Sequence, residues 1–231
     1  VVYLVSGPIP EPLTSTIYLT DTNWVTLTVH GAAAGDQLGR SLAAVDVNGD
    51  SVDDLVMGAY RADHGVVTDT GKVYVLYGGG HLSGTIDLST DAADVEVIGQ
   101  YGQDRLGRSV DGGDVNGDGY EDLVLGVYQG DSPDPLAAGH VITDAGGVVL
   151  IYGGDALSST IDLSTDNVTG AGLGVVFYGS VVGEGTGFYV ATGNFNGDAN
   201  AANDHPYVDM LIGAYLENDN EDGKGYTLFG G

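Results

Sequence analysis

"DVNGDSVDDLVMGAY" (46–60) and "DVNGDGYEDLVLGVY" (114–128) are two spellings of one acid-rich loop, each running straight into an apolar stretch. A third, altered copy, "NFNGDANAANDHPYVDMLIGAY", occupies 194–215. The three copies begin 68 and 80 residues apart, so the chain is an array of repeats, and repeats are read before anything else.

The loop carries chemistry. Positions one, three, five and nine are Asp46, Asn48, Asp50 and Asp54 in the first copy, and Asp114, Asn116, Asp118 and Asp122 in the second. Their oxygens can converge only if the backbone curls, and a glycine at position four, Gly49 or Gly117, makes the curl easy. The carbonyl at position seven, Val52 or Tyr120, can add another oxygen. Hard oxygen donors with three carboxylates suit Ca²⁺, which accepts six to eight oxygens in flexible geometry. An EF-hand is excluded, because position twelve is Met57 or Leu125 rather than Glu and the flanks read as strands. The third copy offers Asn194, Asn196 and Asp198, then about seven inserted residues before Asp209, the best counterpart of position nine. With two carboxylates in place of three, it is expected to bind a cation weakly or not at all.

Two further markers recur between the loops. "VYVLYGG" (73–79), "VVLIYGG" (148–154) and "YTLFGG" (226–231) share one pattern, with "VYLVSG" (2–7) a worn version. "GTIDLSTDAAD" (84–94) matches "STIDLSTDNVT" (159–169) and, loosely, "STIYLTDTNWV" (15–25). Each unit thus reads strand, acid-rich loop, strand, variable loop, strand, "TIDLST" turn and short strand. Four short strands in roughly 70 residues describe a propeller blade, and no window keeps a 3.6-residue period. The expected architecture is all-β, with about three blades of four antiparallel strands. Residues 1–34 hold the last strands of a preceding blade, 35–99 and 100–179 are blades, and 180–231 is a blade lacking its fourth strand. The tally is thirteen strands. The incomplete ring is expected to close through residues outside the segment or through neighbouring copies, and strand 23–30 is a candidate for the fourth strand of the last unit.

Composition narrows the partners. The formal charge is −27, from 33 acidic and 6 basic residues, which argues against nucleic acid and against an anionic membrane surface. Cysteine is absent, so disulfides and thiolate metal sites are excluded. No stretch approaches the ~20 apolar residues of a spanning helix. The opening "VVYLVSGPIP", without an initiator Met, reads as a mature or excised segment.

These markers resemble the FG-GAP repeats of integrin α-subunit propellers and their prokaryotic relatives. The Φ-Φ-G element stands as "LG" at 38–39 and 106–107 and "TG" at 186–187, and the calcium loops match as quoted. The G-A-P element reads "GAY" (58–60), "GVY" (126–128) and "GAY" (213–215), with Tyr in place of Pro. The resemblance implies Ca²⁺-bearing propeller blades and an extracellular role in adhesion or ligand binding.

Two functions are expected from different classes. One is a non-enzymatic, calcium-stabilised extracellular scaffold or adhesion module whose partners are other protein chains, copies of itself included, joined head-to-tail into a filament by strand complementation. The other is a carbohydrate-binding propeller with glycans as ligands. No acid–base pair or nucleophile recurs to support an enzyme, since Ser41 and Ser109 repeat without a histidine, and the five His residues share no repeat position. Four of the six cations do follow the repeat: Arg40 with Arg108, and Lys72 with Lys224. They are expected to pair with nearby carboxylates. Tyr77 and Tyr152 are expected to pack between blades, and Asn167 begins an "NVT" glycosylation sequon.

Overall fold

A computed structural model describes residues 1–7, 19, 24–80, 82–133, 140–198, 207–215 and 223–230, and the strands of the chain follow the repeat. β1 (Val2–Val5) and β2 (Val25–His30) precede the first acid-rich loop. The first full unit holds β3 (Ser41–Val45), β4 (Asp54–Ala59), β5 (Lys72–Leu76), β6 (Gly84–Asp87) and β7 (Val95–Ile98). The second holds β8 (Leu106–Gly113), β9 (Asp122–Val127), β10 (Ser132–Pro133), β11 (Val141–Ile142), β12 (Gly147–Ile151), β13 (Thr160–Asp162) and β14 (Gly174–Tyr178). The third holds β15 (Thr186–Gly193), β16 (Asp209–Ala214) and β17 (Lys224–Leu228). The described residues contain no helix.

The sheets are blades. β3-β4-β5-β7 and β8-β9-β12-β14 are antiparallel four-stranded meanders, and β15-β16-β17 repeats the first three strands of the pattern. β1 and β2 form an antiparallel pair equivalent to the third and fourth strands. The sequence tally of thirteen strands needs correction, because the "TIDLST" segments are more than turns. Within each, a short strand leaves its own unit and adds, in parallel, to the outer edge of the preceding blade. β6 pairs with β2 in the register Leu27↔Gly84 to His30↔Asp87, and β13 pairs with β7 from Thr160↔Glu96 to Asp162↔Ile98. A tight turn follows, in which the Asp87 and Asp162 carboxylates accept from the amides and hydroxyls of Ser89 and Ser164. These added strands cover sheet edges that would otherwise be bare. A second correction concerns strand 23–30. Its described part, β2, pairs with β1 and β6, so it does not supply a fourth strand to β17 within the chain. The small β10–β11 hairpin was also not expected.

Central strands carry long apolar runs because blades stack on both of their faces. Successive residues of a strand point to opposite sides, so each strand feeds two cores. Val56, Val73 and Val75 pack toward the second blade, with Leu123, Leu125, Val149 and Ile151. Their neighbours Met57, Tyr74 and Leu76 pack the other way, against Val2, Leu27 and Val29. Val124, Val148 and Leu150 then meet Met210 and Ile212 of the third blade. Polar–apolar alternation is therefore absent where burial is greatest.

Candidate metal loops and the blade junctions

Each acid-rich loop connects the first two strands of its blade. Position four takes a positive φ in all three copies: 75° at Gly49, 79° at Gly117 and 74° at Gly197. That left-handed residue turns the chain back on itself, so the loop's own amides point at its side-chain oxygens. The Asp46 carboxylate accepts from the amides of Asp50 (3.0 Å) and Ser51 (2.8 Å), and Asp50 accepts from the amide of Val52 (2.9 Å). The second copy repeats this. Asp114 accepts from Gly117, Asp118 and Gly119, and Asp118 accepts from Tyr120. Asn48 and Asn116 accept from the amides of Asp50 and Asp118 in the same manner. In the third copy Asn194 accepts from Gly197, and Asn196 accepts from Asp198.

Position nine is placed differently from positions one to five. Asp54, Asp122 and Asp209 are fully buried at the start of the second strand. One oxygen of each turns inward to the loop, taking the amide of Val47, Val115 or Phe195; the other takes the amide of Gly78, Gly153 or Gly230, two residues past the end of the third strand. The carboxylate thus ties loop, second strand and third strand together. Burial pushes the Asp122 carboxyl up to about 6, against the pull of three amides and with the help of Asp118. The Asp54 carboxyl is raised for the same first reason. Among the described residues, no three acidic or histidine side chains converge as a ready-made cluster. Asp209 makes the same contacts as Asp54 and Asp122. The insertion before it, 199–206, lies outside the described residues.

The donor set still fits a hard cation. The oxygens at positions one, three and five line one concave loop, and an oxygen that accepts one amide keeps a lone pair. In the third copy Asp198 Oδ1 is buried without a hydrogen-bond partner among the described residues. Adjacent loops also touch. The Asp46 amide donates to Glu121 (2.8 Å), the Gly154 amide donates to the Val47 carbonyl (2.9 Å), and the Tyr120 ring lies over Gly49.

The repeated cations behave in three ways. Lys72 pairs with Glu96 at 2.8 Å and Lys224 with Glu184 at 4.0 Å. Arg108 is buried with no carboxylate in its salt-bridge range among the described residues; its guanidinium stacks 4.0 Å from the Phe188 centroid, near Tyr60 and Tyr189. Arg40 is exposed. The expected pairing with carboxylates thus holds for the lysines and fails for Arg108, which is paired with aromatic rings instead. Tyr77 and Tyr152 are partly buried against the cores. Asn167 is exposed on the turn after β13.

The sequence reading missed a set of acids. Asp36, Asp104 and Glu184 each stand three residues before the glycine of the "LG" or "TG" pair, and each accepts the amide three residues upstream, from Ala33, Tyr101 or Val181. That fixed spacing was the available signal.

Comparison with known proteins agrees with these repeats. The FG-GAP repeat family model matches residues 38–76 and 106–151. Integrin alpha-PS2 of Drosophila melanogaster is 31% identical over 198 residues, covering 81% of this chain and 12% of that protein. Integrin alpha-IIb of Mus musculus is 28% identical over 195 residues, with 81% and 16% covered. Phosphatidylinositol-glycan-specific phospholipase D of Bos taurus is 32% identical over 143 residues, with 59% and 15% covered. The chain therefore spans between 12% and 16% of the length of these three relatives.

Proposed function

The chain belongs to the FG-GAP repeat family of integrin-α-like propellers, and from that premise we propose that it is a calcium-binding, non-enzymatic scaffold for adhesion outside the cell. The observation that carries the reading is the threefold loop. A left-handed glycine at position four curls oxygens at one, three and five into one concavity, while position nine is fixed in the sheet. Asp46, Asn48 and Asp50, and Asp114, Asn116 and Asp118, are the side chains that would hold Ca²⁺, with the Val52 and Tyr120 carbonyls beside them. Bound calcium would neutralise carboxylates that otherwise repel one another in adjoining blades. Isothermal titration of metal-stripped protein tests the reading. Two sites of similar affinity are expected, one lost in Asp50→Ala and the other in Asp118→Ala. No heat above dilution would end the calcium assignment.

A head-to-tail assembly is favoured by a separate observation. Faces that neighbouring blades cover in the interior stand open at both ends of the described stack: Tyr3 on β1 and Leu211 on β16, whose strand neighbours Val2, Met210 and Ile212 point into the cores, are exposed. A second copy stacking one end on the other would bury them, and such a contact need not close. Light scattering as a function of concentration checks this, and a monomer at every concentration would exclude it. The glycan-binding alternative gains nothing from Tyr77 and Tyr152, which are engaged in packing.

A further inference from the structure

The three repeated acids do not have the same surroundings. In the third unit, Glu184 faces Lys224 and accepts a hydrogen bond from the Tyr226 hydroxyl. In the first unit, Asp36 feels the charge of Lys72, and Tyr74 in turn feels the charges of Asp36 and Glu96. Lys72 and Tyr74 hold the strand positions that Lys224 and Tyr226 hold in the third unit, two residues apart at the start of the third blade strand. The third unit therefore places an ammonium and a phenol against its acid, and the first places both near its acid, with the ammonium paired to Glu96.

The second unit has neither residue at these strand positions, and the phenol that feels the charge of its acid, Tyr178, comes from β14 instead. Its strand β12 carries Gly147 and Val149 at these two positions, and β14 carries Val176 where β7 has Glu96. The consequence is a cavity of about 290 Å³, lined by Asp104, Gly147, Val149, Val176 and Tyr178 among others. Asp104 is 5% exposed, and among the described residues its carboxylate accepts from the Tyr101 amide. Asp131 also lines the cavity, and with Asp144 it adds negative charge around Asp104. A nearly buried carboxylate with two other carboxylates adding charge around it, lining a cavity at strand positions where the sibling units carry lysine and tyrosine, is a receptor for a positive charge.

We propose that this cavity binds a primary alkylammonium group, with Asp104 as its counter-ion and the alkyl chain lying along Val149 and Val176 where the sibling blades hold their own lysine and tyrosine. Free amines and the lysine side chain of another protein share this chemistry. The net charge of −27 favours the approach of either. The site lies apart from the acid-rich loops, so it stands or falls independently of calcium.

The test is NMR or calorimetric titration of the full chain in saturating Ca²⁺ with n-butylammonium, and separately with Nα-acetyl-lysine amide. Saturable binding is expected, with amide shifts at Gly147 and Val176 and an affinity reduced about tenfold or more in Asp104→Asn. Tighter binding of the lysine amide identifies a protein side chain as the natural ligand; tighter binding of the simple amine identifies a free amine. Gly147→Lys is a poor probe, because a Cβ there would stand 2.7 Å from the Phe177 carbonyl oxygen. Val149→Tyr fills the space as the sibling units do and is expected to abolish binding in a folded protein. The proposal is overturned if n-butanol binds as well as the amine, if Asp104→Asn binds unchanged, if further Ca²⁺ displaces the amine, or if no saturation is reached.

Discussion

The hydroxyl of Ser109 donates to the carbonyl of Gly187 at 3.0 Å, across the junction between the second and third blades. One unit earlier, Ser41 donates to the carbonyl of Gly107 at 2.9 Å. The second strand passes through the same spot: a Cβ on Gly58 or Gly126 would overlap the Gly107 or Gly187 carbonyl oxygen and crowd the serine hydroxyl. This explains two glycines of the repeat in physical terms. The glycine of "LG" or "TG" presents its carbonyl to the preceding blade, and the glycine of "GAY" or "GVY" lets a backbone come close enough to receive it.

Removing that hydroxyl and filling that space should have unequal effects. Ser109→Ala is expected to lower stability by about 1 kcal/mol, the net worth of one hydrogen bond. Gly126→Ala, which must push two backbones apart, is expected to cost about 3 kcal/mol. Urea denaturation of both variants in excess Ca²⁺ compares them, and equal midpoints would contradict the close-packed junction.

Calcium should be felt through stability as well as through binding heat. A ligand that binds only the folded loops adds about 2.7 kcal/mol per site at a hundredfold excess over its Kd. Chelation is therefore expected to lower the melting temperature of the wild-type chain, and Asp118→Ala to remove about half of that calcium-dependent increment. Thermal scans with and without chelator measure both. A wild-type melting temperature indifferent to the metal would sink the loop assignment.

Much of this was legible in the sequence because the repeat made it so. Two near-identical loops fixed the strand order on either side of them, and the apolar runs at 55–59, 123–127 and 147–151 marked strands covered on both faces. What escaped depended on neighbours. "TIDLST" looks like a turn because its three or four strand residues pair with the preceding blade, far away in the chain. Asp54, Asp122 and Asp209 read as loop residues, yet one amide that each holds comes from just beyond the third strand, 21 to 31 residues further on. Nothing local marks Asp104 as buried, because Gly147, which stands where the sibling units carry lysine, is 43 residues further on.

Arg108 should resist conservative exchange. It is 8% exposed, its Nη1 is buried without a hydrogen-bond partner among the described residues, and its guanidinium lies over the Phe188 ring. A planar guanidinium can stack on that ring while an ammonium cannot, and an ammonium is more strongly hydrated. Arg108→Lys is expected to destabilise the chain by about 1–2 kcal/mol, the range of a desolvated cation–π contact. Phe188→Leu should lower stability further in the wild type than in the Arg108→Lys background, and a double-mutant cycle reads that coupling. Strict additivity would dissociate the two residues.

Asp104 sets the last expectation, which concerns pH. Burial, opposed by the Tyr101 amide and reinforced by Asp131 and Asp144, pushes its carboxyl from the ordinary 3.8 up to about 7. Between those two values the folded chain holds a proton that the unfolded chain has released. Stability linked to this group is therefore fully present below pH 4 and declines as pH rises toward 7. Asp104→Asn has no such proton to lose. Its stability should match the wild type near pH 4 and exceed it by about 2 kcal/mol near pH 8, a part of what the whole shift would give. Denaturation curves of the two proteins across that range, both in excess Ca²⁺, yield a difference in which the other carboxylates cancel. Parallel curves would mean that Asp104 is ionised without strain, and they would also remove the reason for a cation to enter the cavity beside it. An alkylammonium ligand should reverse the wild-type decline selectively at high pH, where the carboxylate it needs is charged.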